Sequence, residues 1–182
     1  MIYKTRSITL KDGRGAILRA PRESDAGEML EYLRTASGET DFLASYPEEL
    51  KFTAEGERAY LKNNLDSPNT MMLVCEVDGK IAGNSQIVFM SSLKTRHRAA
   101  VMIGLLREYW GLGIGSALFR EMEREAREHG TAQLELEMIE GNDRALALYR
   151  SAGFETMAEH PDAFRLRDGT SRAAVFMRKV LK

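Results

Sequence analysis

The chain is 182 residues long, with a formal charge of −1 from 26 basic and 27 acidic residues, and is 43% hydrophobic and 29% charged. That length and composition suit one globular domain able to bury its own core, and the balanced charge gives no bulk field to attract nucleic acid or an anionic membrane. No run approaches the ~20 apolar residues of a membrane helix, MIYKTRSITLKDGRG lacks the apolar stretch of a signal peptide, and Cys75, alone in the apolar run MMLVCEV, reads as a small buried hydrophobe. A cytoplasmic protein of one domain, 1–182, is expected.

The elements follow in order. SITL and AILRA flank the turn signal Asp12-Gly13, so residues 7–20 form an opening hairpin. Asp25, with Glu28 three positions later, reads as a capping box starting a helix through AGEMLEYLRTA. A second helix follows Thr53, covers AEGERAYLKNNL and stops before Ser67-Pro68-Asn69. MMLVCEV and KIAGNSQIVFM make a hairpin about Asp78-Gly79, and RAAVMIGLL supplies a third, antiparallel strand beside it. After the glycine-rich YWGLGIGSAL, a helix places Ile114, Ala117, Leu118, Met122 and Ala126 on one apolar face and ends at Gly130. QLELEM alternates as a half-exposed strand and, with a helix intervening, lies parallel to the strand before it. A helix over NDRALALYRSA stops at Gly153, and two strands near FETMAEH and AAVFMRKV enclose an irregular segment around RDGTS.

Gly111, Gly113 and Gly115 therefore sit between a strand and a helix N-terminus. Backbone N–H groups, the helix dipole and the absence of side chains make such a loop an anion site, with chain turning and close packing as the purely structural alternative. A nucleoside triphosphate does not fit, because Gly115 is followed by Ser116 and Ala117 instead of Lys and Ser/Thr. A dinucleotide fits poorly, although Glu135 and Glu137 lie near the spacing of a ribose-binding acid: REYW separates strand from glycines, Ser116 stands in place of the third glycine, and the following chain offers hairpin strands instead of further parallel units.

Coenzyme A is the third candidate. YWGLGIGSAL resembles the pyrophosphate loop of the GNAT acetyltransferases, Arg/Gln-x-x-Gly-x-Gly/Ala, with Gly113 and Gly115 at the glycine positions and Trp110 where the family has Arg or Gln. NDRALALYRSAGF resembles a second family segment through Asn142, Ala145, Leu148, Tyr149, Gly153 and Phe154. The resemblance implies an α/β (α+β layered) fold with a mixed, mostly antiparallel, splayed sheet flanked by helices. It also implies acetyl-CoA as co-substrate and no metal. Pantetheine would pair with main-chain groups around Ile103, Gly104 and Leu105. Trp110, Gly111, Leu112, Gly113, Ile114, Gly115 and Ser116 would hold the pyrophosphate, and Asn142 would contact the cofactor, cap a helix, or both.

The implied chemistry is aminolysis of a thioester by an uncharged amine. A backbone N–H near Leu105 would serve the oxyanion. Tyr149 resembles the family's general acid; an ordinary phenol near 10 facing a thiol near 8.5 makes full transfer uphill by ~2 kcal/mol, so the proton moves as the C–S bond breaks or is only shared. Packing within ALALY is the alternative role for this ring. Glu137 resembles in position a glutamate that serves as base in some family members, with Glu76, Glu135 and His97 as alternatives and a solvated strand face as the bland reading. Acidic residues of SGETDFLASYPEEL, Glu39, Asp41, Glu48 and Glu49, would suit a cationic acceptor, or simply line a solvated loop; polyamines, aminoglycosides, amino acids and protein N-termini remain open. No nucleic acid or membrane partner is expected. A homodimer is, through an apolar edge supplied by AAVFMRKVL, with a central place for that strand in the monomer as the alternative. A silent acetyl-CoA-binding module on the same fold is the competing function.

Overall fold

The computed structural model describes residues 3–181. Eight strands occur in the order β1-β2-β3-β4-β5-β6-β8-β7, and the chain divides into two compact units: residues up to Val88 with Met102–Leu118, and Phe89–Val101 with the chain from Phe119.

In the first unit, β1 (Arg6–Thr9) and β2 (Gly15–Arg19) form the expected hairpin, with Gly13 left-handed at φ 90° and the Asp12 carboxylate accepting from the Arg14 backbone N–H. β3 (Thr70–Val77) and β4 (Lys80–Phe89) join through Asp78 and Gly79, both at positive φ, as a two-residue loop between right-twisted strands requires. The helix α2 (Ala54–Asp66) starts as read, with Thr53 Oγ1 accepting from Gly56 N–H.

The start of α1 (Ala26–Glu39) corrects the sequence reading. Asp25 does not cap α1 with its side chain; the carboxylate accepts from Arg19 at 2.6 Å and from Arg22 N–H at 2.7 Å. Glu28 reaches instead to Ile81 N–H on β4, at 2.6 Å. A buried cation and a free strand N–H outcompete the local box, because an unpaired buried charge costs more than an unmade cap. The unit's core gathers Ala26, Met29, Tyr32 and Ala36 of α1 and Leu61 of α2 over Met72 and Val74 of β3. Cys75 is fully buried and its thiol is pushed up to about 12 by burial, so it is the inert hydrophobe expected.

In the second unit, β6 (Gln133–Ile139) buries Leu134, Leu136 and Met138 and leaves Glu137 exposed, the predicted alternation. It pairs in parallel with the start of β5 (Arg98–Leu105) over only three pairs, Arg98↔Gln133 to Ala100↔Glu135. The helix α3 (Ile114–Glu128), begun in the first unit, continues here; Ile114, Ala117, Leu118, Met122 and Ala126 are all buried. After α4 (Asp143–Ser151), β7 (Glu155–Arg165) and β8 (Ser171–Val180) form one long hairpin with Leu166 N–H bonded to Thr170 O, so the irregular segment shrinks to a short loop at Asp168-Gly169. β8 lies between β6 and β7 and is no edge. Ala174, Val175 and Met177 are buried within the chain, whereas Val180 stays 55% exposed, so an uncovered β8 edge no longer argues for a second copy. The edge strand is β7, exposed along most of its length.

Candidate active site

β5 ends at Leu105, and a single turn over Arg107–Tyr109 leads to the glycines. Tyr109 is buried, with the Arg14 guanidinium 5.5 Å from its ring centroid, and Trp110 Nε1 donates to Leu105 O at 2.9 Å. Trp110 thus ties the loop's entrance to the strand end, a packing role consistent with its departure from Arg or Gln. Gly111 and Gly113 are left-handed, at φ 81° and 93°, a conformation that side chains disfavour. Gly115 is different: it is buried in the first turn of α3 without positive φ. The first helical bond runs from Ala117 N–H to Gly113 O, leaving the N–H groups of Ile114, Gly115 and Ser116 without helical partners at the positive end of a 15-residue helix. Ile114 gives its side chain wholly to the core, so only its backbone can serve a ligand. Leu112 O is already bonded, accepting from Lys11 N–H at 3.0 Å.

The bond from Leu106 N–H to Ala82 O sets the direction of the neighbouring main chain. In an antiparallel pair alternate residues face the partner, so Leu106 and Gly104 turn their polar groups toward β4 while Ile103 and Leu105 turn theirs away. Gly104 O, consistently, lies 2.8 Å from where a Gly83 Cβ would stand. Of the three predicted residues, Ile103 and Leu105 have main-chain groups directed away from β4, although Leu105 O is engaged by the Trp110 indole.

In the second unit, Asn142 caps α4: its Oδ1 accepts from Ala145 N–H at 3.1 Å, while its Nδ2 makes no hydrogen bond within the described residues. Tyr149, near the end of that helix, is 8% exposed; its ring stands edge-on to Phe119 with centroids 5.6 Å apart and tilts against Phe154. Its hydroxyl makes no hydrogen bond within the described residues. Burial pushes the phenol up to about 12. Against a thiol near 8.5, complete transfer from it is uphill by ~5 kcal/mol, so this hydroxyl is far better suited to donating a hydrogen bond than to surrendering its proton.

The candidate bases separate. Glu135 is held by Arg98, with Nε to Oε1 at 2.6 Å and a second bond from Nη2; that pairing keeps its carboxyl below the ordinary value despite burial. Glu76 accepts from Arg19 at 2.8 Å. His97 is exposed, its carbonyl accepting from Ala132 and Gln133 N–H. Glu137 is the exposed carboxylate, opposite Phe176 of β8. Among the acidic residues expected to line an acceptor site, Glu39 accepts from Arg107 N–H at 2.7 Å and Glu49 from Tyr46 N–H at 2.7 Å, so both serve the chain's own loops. Tyr32 and Asn84, which the sequence does not single out, are hydrogen-bonded at 3.0 Å beside Gly104.

No group of three or more metal-ligating side chains occurs among the described residues, and none of their helices is long and apolar enough to cross a membrane. The model of the acetyltransferase (GNAT) family matches residues 35–154. An acetyltransferase of the GNAT family from Streptococcus pneumoniae is similar at 27% identity over 91% of this chain and 99% of its own, with a TM-score of 0.85. A ribosomal-protein-alanine N-acetyltransferase from Brucella melitensis is similar at 28% identity over 90% and 99%, with a TM-score of 0.77. At 19% identity, yncA from Salmonella typhimurium, solved with its cofactor acetyl-CoA, shares the fold over 92% and 94% of the two chains at a TM-score of 0.78. The family match takes in both the glycine loop and the segment from Asn142 to Phe154, and the mixed, mostly antiparallel α/β sheet agrees with it: the chain belongs to the GNAT acetyltransferase family.

Proposed function

We propose that the protein transfers the acetyl group of acetyl-CoA to a primary amine, of a small molecule or a protein N-terminus. The observation that carries this is the glycine loop, where three backbone N–H groups without helical partners meet two left-handed glycines at the start of α3. These groups fit a pyrophosphate: they present donors, a dipole and no side-chain bulk. The co-substrate supplies an activated acyl thioester. Residues 110–116 hold its phosphates, and Ile103 and Leu105 offer main-chain groups to its pantetheine. Leu105 N–H stabilises the developing oxyanion, a donor of a kind worth about 2.7–4 kcal/mol. Asn142 Nδ2 offers a further contact. Tyr149 donates a hydrogen bond to the departing sulfur, and Glu137, directly or through water, takes the proton of the amine. The Brucella relative names a ribosomal protein as its acceptor, which supports keeping protein N-termini in the acceptor class.

The burial of Tyr149 among aromatic rings favours one second reading, a silent acetyl-CoA-binding module in which that ring only packs. A panel of amines assayed with acetyl-CoA for thiol release separates the two. Release with any amine supports the enzyme; binding of acetyl-CoA without release supports the module. A larger thermal shift with NAD or ATP than with acetyl-CoA overturns both.

A further inference from the structure

The face of the first unit's sheet that packs under α1 and α2 carries polar groups where its neighbours carry core. β3 gives it Met72 and Val74; β4, paired with them, gives it Gln86 and Asn84. The register that sets Ala82 against Leu106 brings Gly104 opposite Asn84 and Met102 opposite Gln86. Gln86 is satisfied, its Nε2 donating to Asn64 Oδ1 at 2.5 Å with the Tyr60 hydroxyl close by. Asn84 is only half satisfied. Its Oδ1 accepts the Tyr32 hydroxyl proton at 3.0 Å, and its Nδ2 makes no hydrogen bond within the described residues.

Tyr32 is a core residue of α1, 4% exposed, whose hydroxyl lies against Gly104: a Cβ on that glycine would stand 2.7 Å from Oη, 3.4 Å from Asn84 Oδ1 and 3.9 Å from Leu43 Cδ2. With its proton committed to Asn84, Oη presents lone pairs, while Nδ2 beside it presents donors. The nearby charge is Glu39, whose carboxylate is held by Arg107 N–H. The face thus offers one acceptor and one amide donor, both neutral, next to the stretch of β5 assigned to the thioester.

We propose that Tyr32 and Asn84 are the specificity-determining pair of the acetyl transfer. Tyr32 Oη accepts from an N–H of the acceptor amine, and Asn84 Nδ2 donates to a carbonyl oxygen on the carbon next to the one bearing the amine. The acceptor class is therefore an α-amino group followed by an amide, as at a peptide N-terminus, and a polyamine, which needs carboxylates along its length, is a poor fit. A site built around hydrogen bonds discriminates strongly against analogues that lack the partner, because its own polar groups are then left unpaired. The inference rests on the acetyl-transfer reading of β5.

The test compares alanine amide, propylamine and spermidine as acceptors at equal free-amine concentration and saturating acetyl-CoA, with acetyl-CoA affinity measured separately by calorimetry. Wild type is expected to favour alanine amide by about 10-fold or more in kcat/KM. Tyr32→Phe, which keeps the ring in the core, and Asn84→Leu are each expected to raise the KM for alanine amide about 10-fold, to change propylamine turnover less, and to leave the acetyl-CoA Kd within a factor of two. Asn84→Asp, replacing donor with carboxylate, is expected to shift preference toward spermidine. Preference ratios unchanged in all three folded variants, or a wild type that prefers propylamine or spermidine, overturn the pair while leaving acetyl transfer standing. Absence of thiol release with every amine overturns acetyl transfer, and the pair with it.

Discussion

The two segments that match the family are built on opposite principles. The glycine loop is set apart by what it lacks: Gly111 and Gly113 reach left-handed backbone, and the N–H groups of Ile114, Gly115 and Ser116 have no helical partners. The segment from Asn142 to Phe154 works by what its side chains bring, and each already has an occupation, Asn142 as a cap and Tyr149 as a member of an aromatic cluster. A backbone site declares its role through residue type, whereas a side-chain site depends on surroundings that the residue type does not specify.

Substitutions at four positions sharpen that contrast. Gly113→Asp sets a carboxylate at the positive end of α3 on backbone at φ 93°; the Kd for acetyl-CoA, by calorimetry, is expected to rise more than 100-fold, and a value within a factor of two in a folded mutant would place the phosphates elsewhere. Tyr149→Phe keeps the ring on Phe119 and loses the hydroxyl, so a single-turnover loss of about 100-fold is expected with unchanged acetyl-CoA affinity. Turnover within a factor of two would leave the ring a packing role alone.

The third concerns Glu135. Arg98 holds its carboxyl below the ordinary value of 4.5, so the pair's stabilisation is complete above that value and is lost as pH falls through the lower folded value. Glu135→Gln should cost about 1–2 kcal/mol at neutral pH and flatten the acid limb of a pH-dependent melting curve; parallel wild-type and mutant curves would contradict this. The smallest effect separates the two roles of Asn142. Asn142→Ala should destabilise by about 1 kcal/mol in urea unfolding, whereas Asn142→Asp keeps the capping oxygen and loses the amide donor. Weaker acetyl-CoA binding in the aspartate variant, at wild-type stability, would assign Nδ2 to the cofactor.

Much of the architecture was legible because it follows from periodicity and turn chemistry. The apolar face from Ile114 to Ala126, the Asp78-Gly79 hairpin and the Thr53 cap depend on neighbours within a few positions. Readings failed where a distant partner competed. Asp25 and Glu28 spell a capping box, but Arg19 and the Ile81 N–H claim their carboxylates. AAVFMRKV reads equally as an uncovered edge or a central strand because hydrophobicity does not reveal strand order, and the placement of β7 beyond it decides for the second. At the candidate site, the turn at the glycines and the helix that follows them could be read from residue type. Tyr32 and Asn84 could not, since 52 residues separate them and each alone looks ordinary.

The hydrogen bond from Lys11 N–H to Leu112 O joins the opening hairpin to the glycine loop across about a hundred residues of sequence. Closing so long a loop costs chain entropy that local contacts have not yet repaid, so this contact belongs among the late events of folding. Helices α1 and α2 and the β3–β4 hairpin can form from shorter segments, but the loop's left-handed turn is braced only after the chain's beginning has returned to it. The finished shape of the glycine loop then comes late in the folding of this unit. A nascent chain that has not yet reached Leu112 cannot make the brace, and the tip of the first hairpin waits for that carbonyl until synthesis has supplied it.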